Sequence, residues 1–234
     1  MKTLLVGFGD SWTFGSELDR PQEQSWIVPL SHSLSAEYIN LGVPASSIGH
    51  LIVQLFDYIK VSNQYTDYKK IFMIGLTGTT RYLSYSNRLN EFVNITPAAT
   101  YQTRNIKHSG SPPDVVLEFS NLSGDMYRMV ECSEYNTFLA TQTIFSFQQY
   151  CYSNNIDCIF FSYFDYIKLD NQILDLTQIY PTSLTYSLTG HEFKLPLIQQ
   201  NKYFKGNLFH PNLLGHLKIA EILNEFYNKK YSRN

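Results

Sequence analysis

The sequence predicts an α/β fold in which a parallel sheet is covered on both faces by helices, and three observations predict it. Lys70-Ile71-Phe72-Met73-Ile74-Gly75-Leu76 and Ile156-Asp157-Cys158-Ile159-Phe160-Phe161-Ser162 are short, almost wholly apolar runs. Strands of that kind are buried on both faces, as in parallel sheets. Stretches with apolar residues three and four apart alternate with such runs and mark amphipathic helices. The first apolar run, Thr3 to Phe8, breaks into Gly9-Asp10-Ser11, the punctuation of a strand passing into a loop. Parallel sheets place their sites beyond the strand C-termini, so this loop is the first place to look for chemistry.

Thr3 to Phe8 is the first strand, and Ser25 to Ser35 reads as a helix with Trp26, Val28, Leu30 and Leu34 partly on one face. Tyr38-Ile39-Asn40-Leu41 is a second strand, ended by Gly42 and Pro44. Ser46 to Tyr58 carries Ile48, Leu51, Ile52 and Leu55 at helical spacing, continued by Ile59, with Ser46 or Ser47 as the N-cap. Lys70 to Leu76 is the third strand. From Leu83 to Asp125 no period holds, and helical spacing resumes from Met126 to Asn154. Ile156 to Ser162 is the fourth strand, 166 to 205 is again irregular, and Leu213 to Tyr227 is an amphipathic terminal helix. A chain of 234 residues without internal repeats is expected to form one domain, 1–234, with irregular insertions at 83–125 and 166–205.

Composition removes several classes of function. Apolar residues make up 44% of the chain and charged residues 16%, which excludes disorder. No apolar run approaches the ~18 residues of a membrane-spanning helix. Lys and Arg number 18 against 20 Asp and Glu, with no basic run beyond Lys69-Lys70 or Lys229-Lys230, so a nucleic-acid partner is not expected. Cys132, Cys151 and Cys158 make neither a disulfide framework nor a Cys-x-x-Cys pair and fit a reducing compartment. Met1 to Gly7 imitates a signal peptide, but its apolar segment is too short and lacks a cleavage site.

Ser11, at the end of the first strand, is placed where a nucleophile faces a ligand, and a serine needs a base. His210-Pro211-Asn212 precedes the terminal helix on a loop that can reach the same edge. A histidine within hydrogen-bond reach of a serine hydroxyl takes its proton and returns it to the leaving group. His-Pro-Asn is also an ordinary helix start.

Gly9-Asp10-Ser11, Asn40-Leu41-Gly42 and His210-Pro211-Asn212 with Gly215, in that order over nearly the whole chain, resemble the motifs of the GDSL/SGNH hydrolase family. The Gly-Asp-Ser-Trp-Thr-Phe-Gly start, with Glu17-Leu18 and Ser25-Trp26 after it, is most similar to SGNH-type proteins of tailed phages. The resemblance implies a three-layer α/β/α flavodoxin-like fold with a central parallel sheet of about five strands. It implies ester hydrolysis through Ser11 as nucleophile and His210 as general acid/base, with no metal and no cofactor. At the family's aspartate, three residues before the histidine, stands Asn207, which can orient the imidazole but brings no charge. Thr77 occupies the position of the asparagine that helps hold the oxyanion, and Ala45 that of a glycine donating its backbone N–H. The expected oxyanion hole is therefore the N–H of Ser11, the N–H of Ala45 and the Thr77 hydroxyl.

Other candidates have plainer alternatives. Thr77 to Thr80 also reads as a polar strand-to-loop turn, and Arg81 as either a carboxylate or phosphate anchor or a solvated side chain. His216 is expected on the surface of the last helix and His108 and His191 in irregular loops. The 18 Tyr and 16 Phe are mainly packing, although tyrosines at 82–101 and 176–186 could line a carbohydrate groove. The expected activity is hydrolysis of an ester, with a small acyl group on a carbohydrate as the substrate class, in a cytoplasmic (host-cell) or virion-associated setting. The rival reading is a weak or inactive SGNH fold serving as a ligand-binding, structural or virion accessory module, favoured by Asn207 and Thr77. A flavodoxin-like nucleotide binder is a third reading, opposed by the lack of a Gly-x-x-x-x-Gly-Lys loop.

Overall fold

The computed structural model describes residues 1–78, 82–86, 91–95, 133–164, 169, 173–191, 201–204 and 210–231. Its strands are β1 (Lys2–Phe8), β2 (Glu37–Asn40), β3 (Tyr68–Leu76), β4 (Tyr82–Ser86), β5 (Glu91–Ile95), β6 (Asp157–Ser162) and β7 (Ile179–Ser183). The helices are α1 (Ser11–Phe14), α2 (Pro21–Gln24), α3 (Ile27–Ser33), α4 (His50–Val61), α5 (Ser133–Ser153), α6 (Leu184–Thr189) and α7 (Leu213–Tyr231). Five strands form one sheet in the order β2-β1-β3-β6-β7, and every neighbouring pair is parallel. All five therefore end at the same edge.

The central strands show no alternation in sequence because each face of the sheet has its own core. Leu4, Val6 and Phe8 of β1, with Phe72, Ile74 and Leu76 of β3, meet Leu51, Leu55 and Tyr58 of α4 and Ile144, Phe147 and Cys151 of α5. Leu5, Ile71, Met73, Ile159 and Phe161 point the other way, onto Trp26, Ile27 and Leu30 at α3 and Ile219, Ala220 and Leu223 of α7. Successive strand side chains face opposite sides, so a strand between two helix layers must be apolar at every position. The result is a three-layer α/β/α sandwich.

Four readings need correction. The helix expected from Ser46 starts at His50, because Ala45 sits in the left-handed region at φ 62° and residues 43–49 turn instead. Ser47 nevertheless contributes, its hydroxyl oxygen accepting the His50 N–H at 3.3 Å. The stretch 166–205 is not irregular throughout: it holds β7, the fifth strand of the sheet, and α6. Pro181 hid the strand, since proline lacks the N–H a central strand needs; β7 lies at the sheet's edge, where that loss is tolerated. Within 83–125, β4 and β5 pair antiparallel with Tyr85 opposite Phe92, and the rest of that stretch lies outside the described residues. His216, expected on the surface, is fully buried in α7.

Candidate active site

β1 is followed by Gly9, whose φ of 151° favours glycine and where a Cβ would strike the Thr13 side chain. The buried amide of Gln54 on α4 grips this residue from both sides. Its Oε1 accepts the Gly9 N–H at 2.9 Å, and its Nε2 donates to the Gly9 carbonyl at 2.8 Å and to the Ser46 hydroxyl at 3.2 Å. Asp10 follows as the N-cap of α1, its Oδ1 accepting the Trp12 N–H at 3.0 Å. The short helix thereby begins at Ser11, directly beyond the sheet edge. Asn40, from the second recognised motif, donates to the Thr13 carbonyl at 2.8 Å and accepts the Gly42 N–H at 3.0 Å. A side chain at Gly42 would run into the backbone of α1.

The underside of α1 is fixed through Tyr163. Its ring lies over Gly75 of β3, where a Cβ would collide with it, and its hydroxyl contacts the Thr13 hydroxyl, which itself donates to the Phe8 carbonyl. Burial, helped by the Asp10 charge, pushes the Tyr163 phenol well above its ordinary range, so it keeps its proton.

His210 comes from the other end of the chain. Asn212 positions it: as the N-cap of α7 its Oδ1 accepts the Gly215 N–H at 3.0 Å, while its Nδ2 donates to the carbonyls of Lys202 at 2.7 Å and Phe204 at 3.2 Å. The Asn212 N–H adds a bond to the Tyr203 carbonyl at 2.9 Å. Gly215 has no room for a side chain because the Tyr203 carbonyl passes beside it. His-Pro-Asn is thus a helix start, and the same turn carries His210 to the C-terminal edge of the sheet.

These elements bring Ser11 and His210, 199 residues apart, together: the Ser11 hydroxyl donates to His210 Nε2 at 2.8 Å. The ring's Nδ1–H donates to Glu17 Oε1 at 2.9 Å, a proton assignment set by these partners. Ser11 is 5% exposed, and the His210 and Glu17 side chains 25% and 23%. The serine is shielded while the ring stays reachable from solvent.

Asn207, expected beside the ring, lies outside the described residues, and the Nδ1 position assigned to it is taken by Glu17. Arg81 also lies outside the described residues. Ala45 adopts the left-handed conformation of the glycine it replaces. Neither its N–H nor that of Ser11 is taken up by another group among the described residues. Thr77 is buried next to the site, but its hydroxyl donates to Asp10 Oδ2 at 2.8 Å. Its single proton is directed at the N-cap of the helix that carries Ser11 and not at an oxyanion.

His216 packs behind the site. Its Nδ1 accepts the Trp26 N–H at 3.1 Å, and burial, with the neighbouring His210, lowers its pKa to about 3. It is a neutral structural imidazole tying α7 to the start of α3. Glu17, Gln54 and Asn212 carried no separate signal. Glu17 does stand two residues after Gly15, a left-handed C-cap, within the turn that follows the helix of Ser11. Among the described residues no group of three His, Cys, Asp or Glu is arranged to hold a metal ion, and no helix is long and apolar enough to cross a membrane.

No protein-family model matches the sequence, and no curated protein matches it. Solved structures do. An acetyl xylan esterase from Butyrivibrio proteoclasticus is 11% identical with a TM-score of 0.50, the match covering 98% of this chain and 64% of that one. The esterase EstA from a Pseudoalteromonas species is 14% identical with a TM-score of 0.42, covering 100% of both chains. A lipolytic protein of the G-D-S-L family from Veillonella parvula is 14% identical with a TM-score of 0.38, covering 99% of this chain and 100% of that one. With its five parallel strands between two helix layers, this chain has the SGNH-hydrolase α/β/α fold.

Proposed function

We propose that the protein is a serine ester hydrolase. The observation that carries the reading is the 2.8 Å bond from the Ser11 hydroxyl to His210 Nε2, made across 199 residues of chain at the C-terminal edge of the sheet. Serine is a weak nucleophile until a base stands at its hydroxyl. As Ser11 Oγ attacks the ester carbonyl carbon, its proton passes to Nε2 and the carbonyl π electrons move onto oxygen. The oxyanion faces the N–H groups of Ser11 and Ala45. Collapse breaks the bond to the alcohol oxygen, which leaves with the proton from Nε2, and Ser11 holds the acyl group. Water then attacks the acyl carbon, losing a proton to Nε2, and the second collapse returns that proton to Ser11 and releases the acid. With Thr77 turned to Asp10, the hole has two backbone donors; a missing third donor typically costs on the order of 100-fold.

The substrate class is an ester of a small acyl group, with an acetylated carbohydrate as the preferred case. The chain leaving β3 and the chain leaving β6 both depart from the edge that holds Ser11. An acetyl xylan esterase is among the proteins that share the fold.

A second reading, an accessory or ligand-binding module of low activity, is favoured by the commitment of Thr77 to Asp10. Fluorophosphonate labelling separates the two. An activated Ser11 takes up the probe and hydrolyses p-nitrophenyl acetate faster than longer-chain esters, and Ser11→Ala does neither. An unlabelled, folded wild type leaves the module reading.

A further inference from the structure

We propose that Glu17 is the acid of this site, a positioning residue supplied by the nucleophile's own segment and not by the loop that carries the base. The inference rests on the ester-hydrolase reading above and specifies how its base is held.

Three observations meet on this residue. First, the His210 ring is bridged, Nε2 to Ser11 Oγ at 2.8 Å and Nδ1 to Glu17 Oε1 at 2.9 Å, so one imidazole joins both side chains. An acceptor at Nδ1 keeps the proton there and leaves the Nε2 lone pair for the serine. A carboxylate also stabilises the imidazolium formed when Nε2 takes the serine proton, without itself becoming protonated. Second, Glu17 is tethered to the nucleophile. The carbonyl of Ser11 accepts the N–H of both Gly15, at 3.0 Å, and Ser16, at 2.9 Å, so the turn presenting Glu17 is built on the nucleophile's own backbone. Third, Glu17 adopts φ 72°. That is the left-handed region, which glycine enters freely and a residue with a long side chain does not. Glycine would suit this backbone better. A glutamate held there points to a use for its carboxylate.

The side chains of Glu17 and His210 are each about three-quarters shielded from solvent, so this is not an ordinary exposed ion pair. Ser11 and Glu17 are carried by one hydrogen-bonded turn, and the His210 ring sits between their side chains.

The test compares wild type with Glu17→Gln and Glu17→Gly, using p-nitrophenyl acetate and a fluorophosphonate probe. Glu17→Gln keeps the shape and removes the charge; kcat falls roughly 10²- to 10⁴-fold, with KM within about threefold because no substrate contact is lost. Glu17→Gly relieves the left-handed strain and opens a space beside Nδ1. Its melting temperature stays within about 3 °C of wild type, its kcat falls at least as far, and added formate restores part of the rate in Glu17→Gly but not in Glu17→Gln. Rescue by a free carboxylate is not expected of a merely structural residue.

Glu17 variants within threefold of wild-type kcat would overturn the inference while leaving the esterase reading intact. A fall in kcat that comes with a lower melting temperature and no formate rescue also overturns it. A folded wild type that neither hydrolyses the ester nor takes the probe removes the esterase reading, and the role of Glu17 goes with it.

Discussion

The two halves of the site are held in different ways. The Ser11 segment is built into the core: Asp10, Trp12 and Thr13 are essentially inaccessible, and Gln54, Thr77, Asn40 and Tyr163 reach it from four different elements or their ends. Among the described residues the His210 segment has one principal fastener. Asn212 bonds the carbonyls of Lys202, Tyr203 and Phe204 on one side and the Gly215 N–H on the other, and His216 anchors the first turns of α7 to Trp26. The first arrangement is redundant and costly to break, whereas the second concentrates its precision in few bonds. Stability and catalytic geometry should therefore respond differently to damage on the two sides.

The comparison breaks most sharply if the halves do not act together. Ser11→Ala and His210→Ala should each lower kcat by about 10⁴- to 10⁶-fold, and the double variant should fall little further, because a nucleophile and its base are lost as a unit. Additive losses in steady-state rates would show that the two residues work independently.

A smaller pair of effects sharpens the contrast. Gln54→Ala strips the Gly9 N–H and carbonyl of their buried partner and should cost about 3 kcal/mol in urea unfolding. Asn212→Ala acts on a more open loop and should cost about 1–2 kcal/mol. It should nevertheless lower kcat by roughly 10- to 100-fold, since small displacements of a base are expensive in rate. Equal stability losses, or an unchanged kcat in Asn212→Ala, would contradict the difference drawn between the halves.

The His216 anchor gives a pH signature. Its folded pKa of about 3 lies below the unfolded value of 6.5, so the unfolded chain binds more protons between those values. The stability this group contributes is fully present above pH 6.5 and is lost as pH falls through 3, by about 5 kcal/mol at most. His216→Gln, which can still accept the Trp26 N–H, should flatten the pH dependence of the melting temperature in that window. Parallel curves for the two proteins would mean that acid unfolding is governed elsewhere.

The smallest effect tests the relocated acid from the other side. With Glu17 already on Nδ1, Asn207→Asp should change kcat less than about threefold. A large gain would place the effective acid back beside the base.

Much of this was legible in sequence, for reasons that differ by element. β1, β3 and β6 announced themselves because burial on both faces makes them apolar throughout. Ser11 and His210 were found because each stands at a punctuated element boundary, Gly9-Asp10-Ser11 after a strand and His210-Pro211-Asn212 before a helix. β7 was hidden by Pro181, and α1 and α2 have only four residues each, too few to display a period. Glu17 escaped because its contact spans 193 residues and depends on a left-handed turn that glutamate rarely makes. Thr77 was placed correctly beside the site, but the direction of one hydroxyl proton decides its role, and sequence does not record directions. His216 was misread because its turn also carries Leu214 and Leu217, each about half exposed, and only the packing against Trp26 distinguishes one face from the other.

The contact of Gly75 with Tyr163 makes a position near the end of β3 act as a gauge for the placement of Ser11. The stack runs from the β3 backbone through the Tyr163 ring to Thr13, two residues past Ser11, with no slack for one extra methyl group. An alanine at 75 would lift the ring and tilt the floor of α1 without touching the site itself. An alanine at this position, which any hydrophobicity rule would permit, is thus closed to this protein.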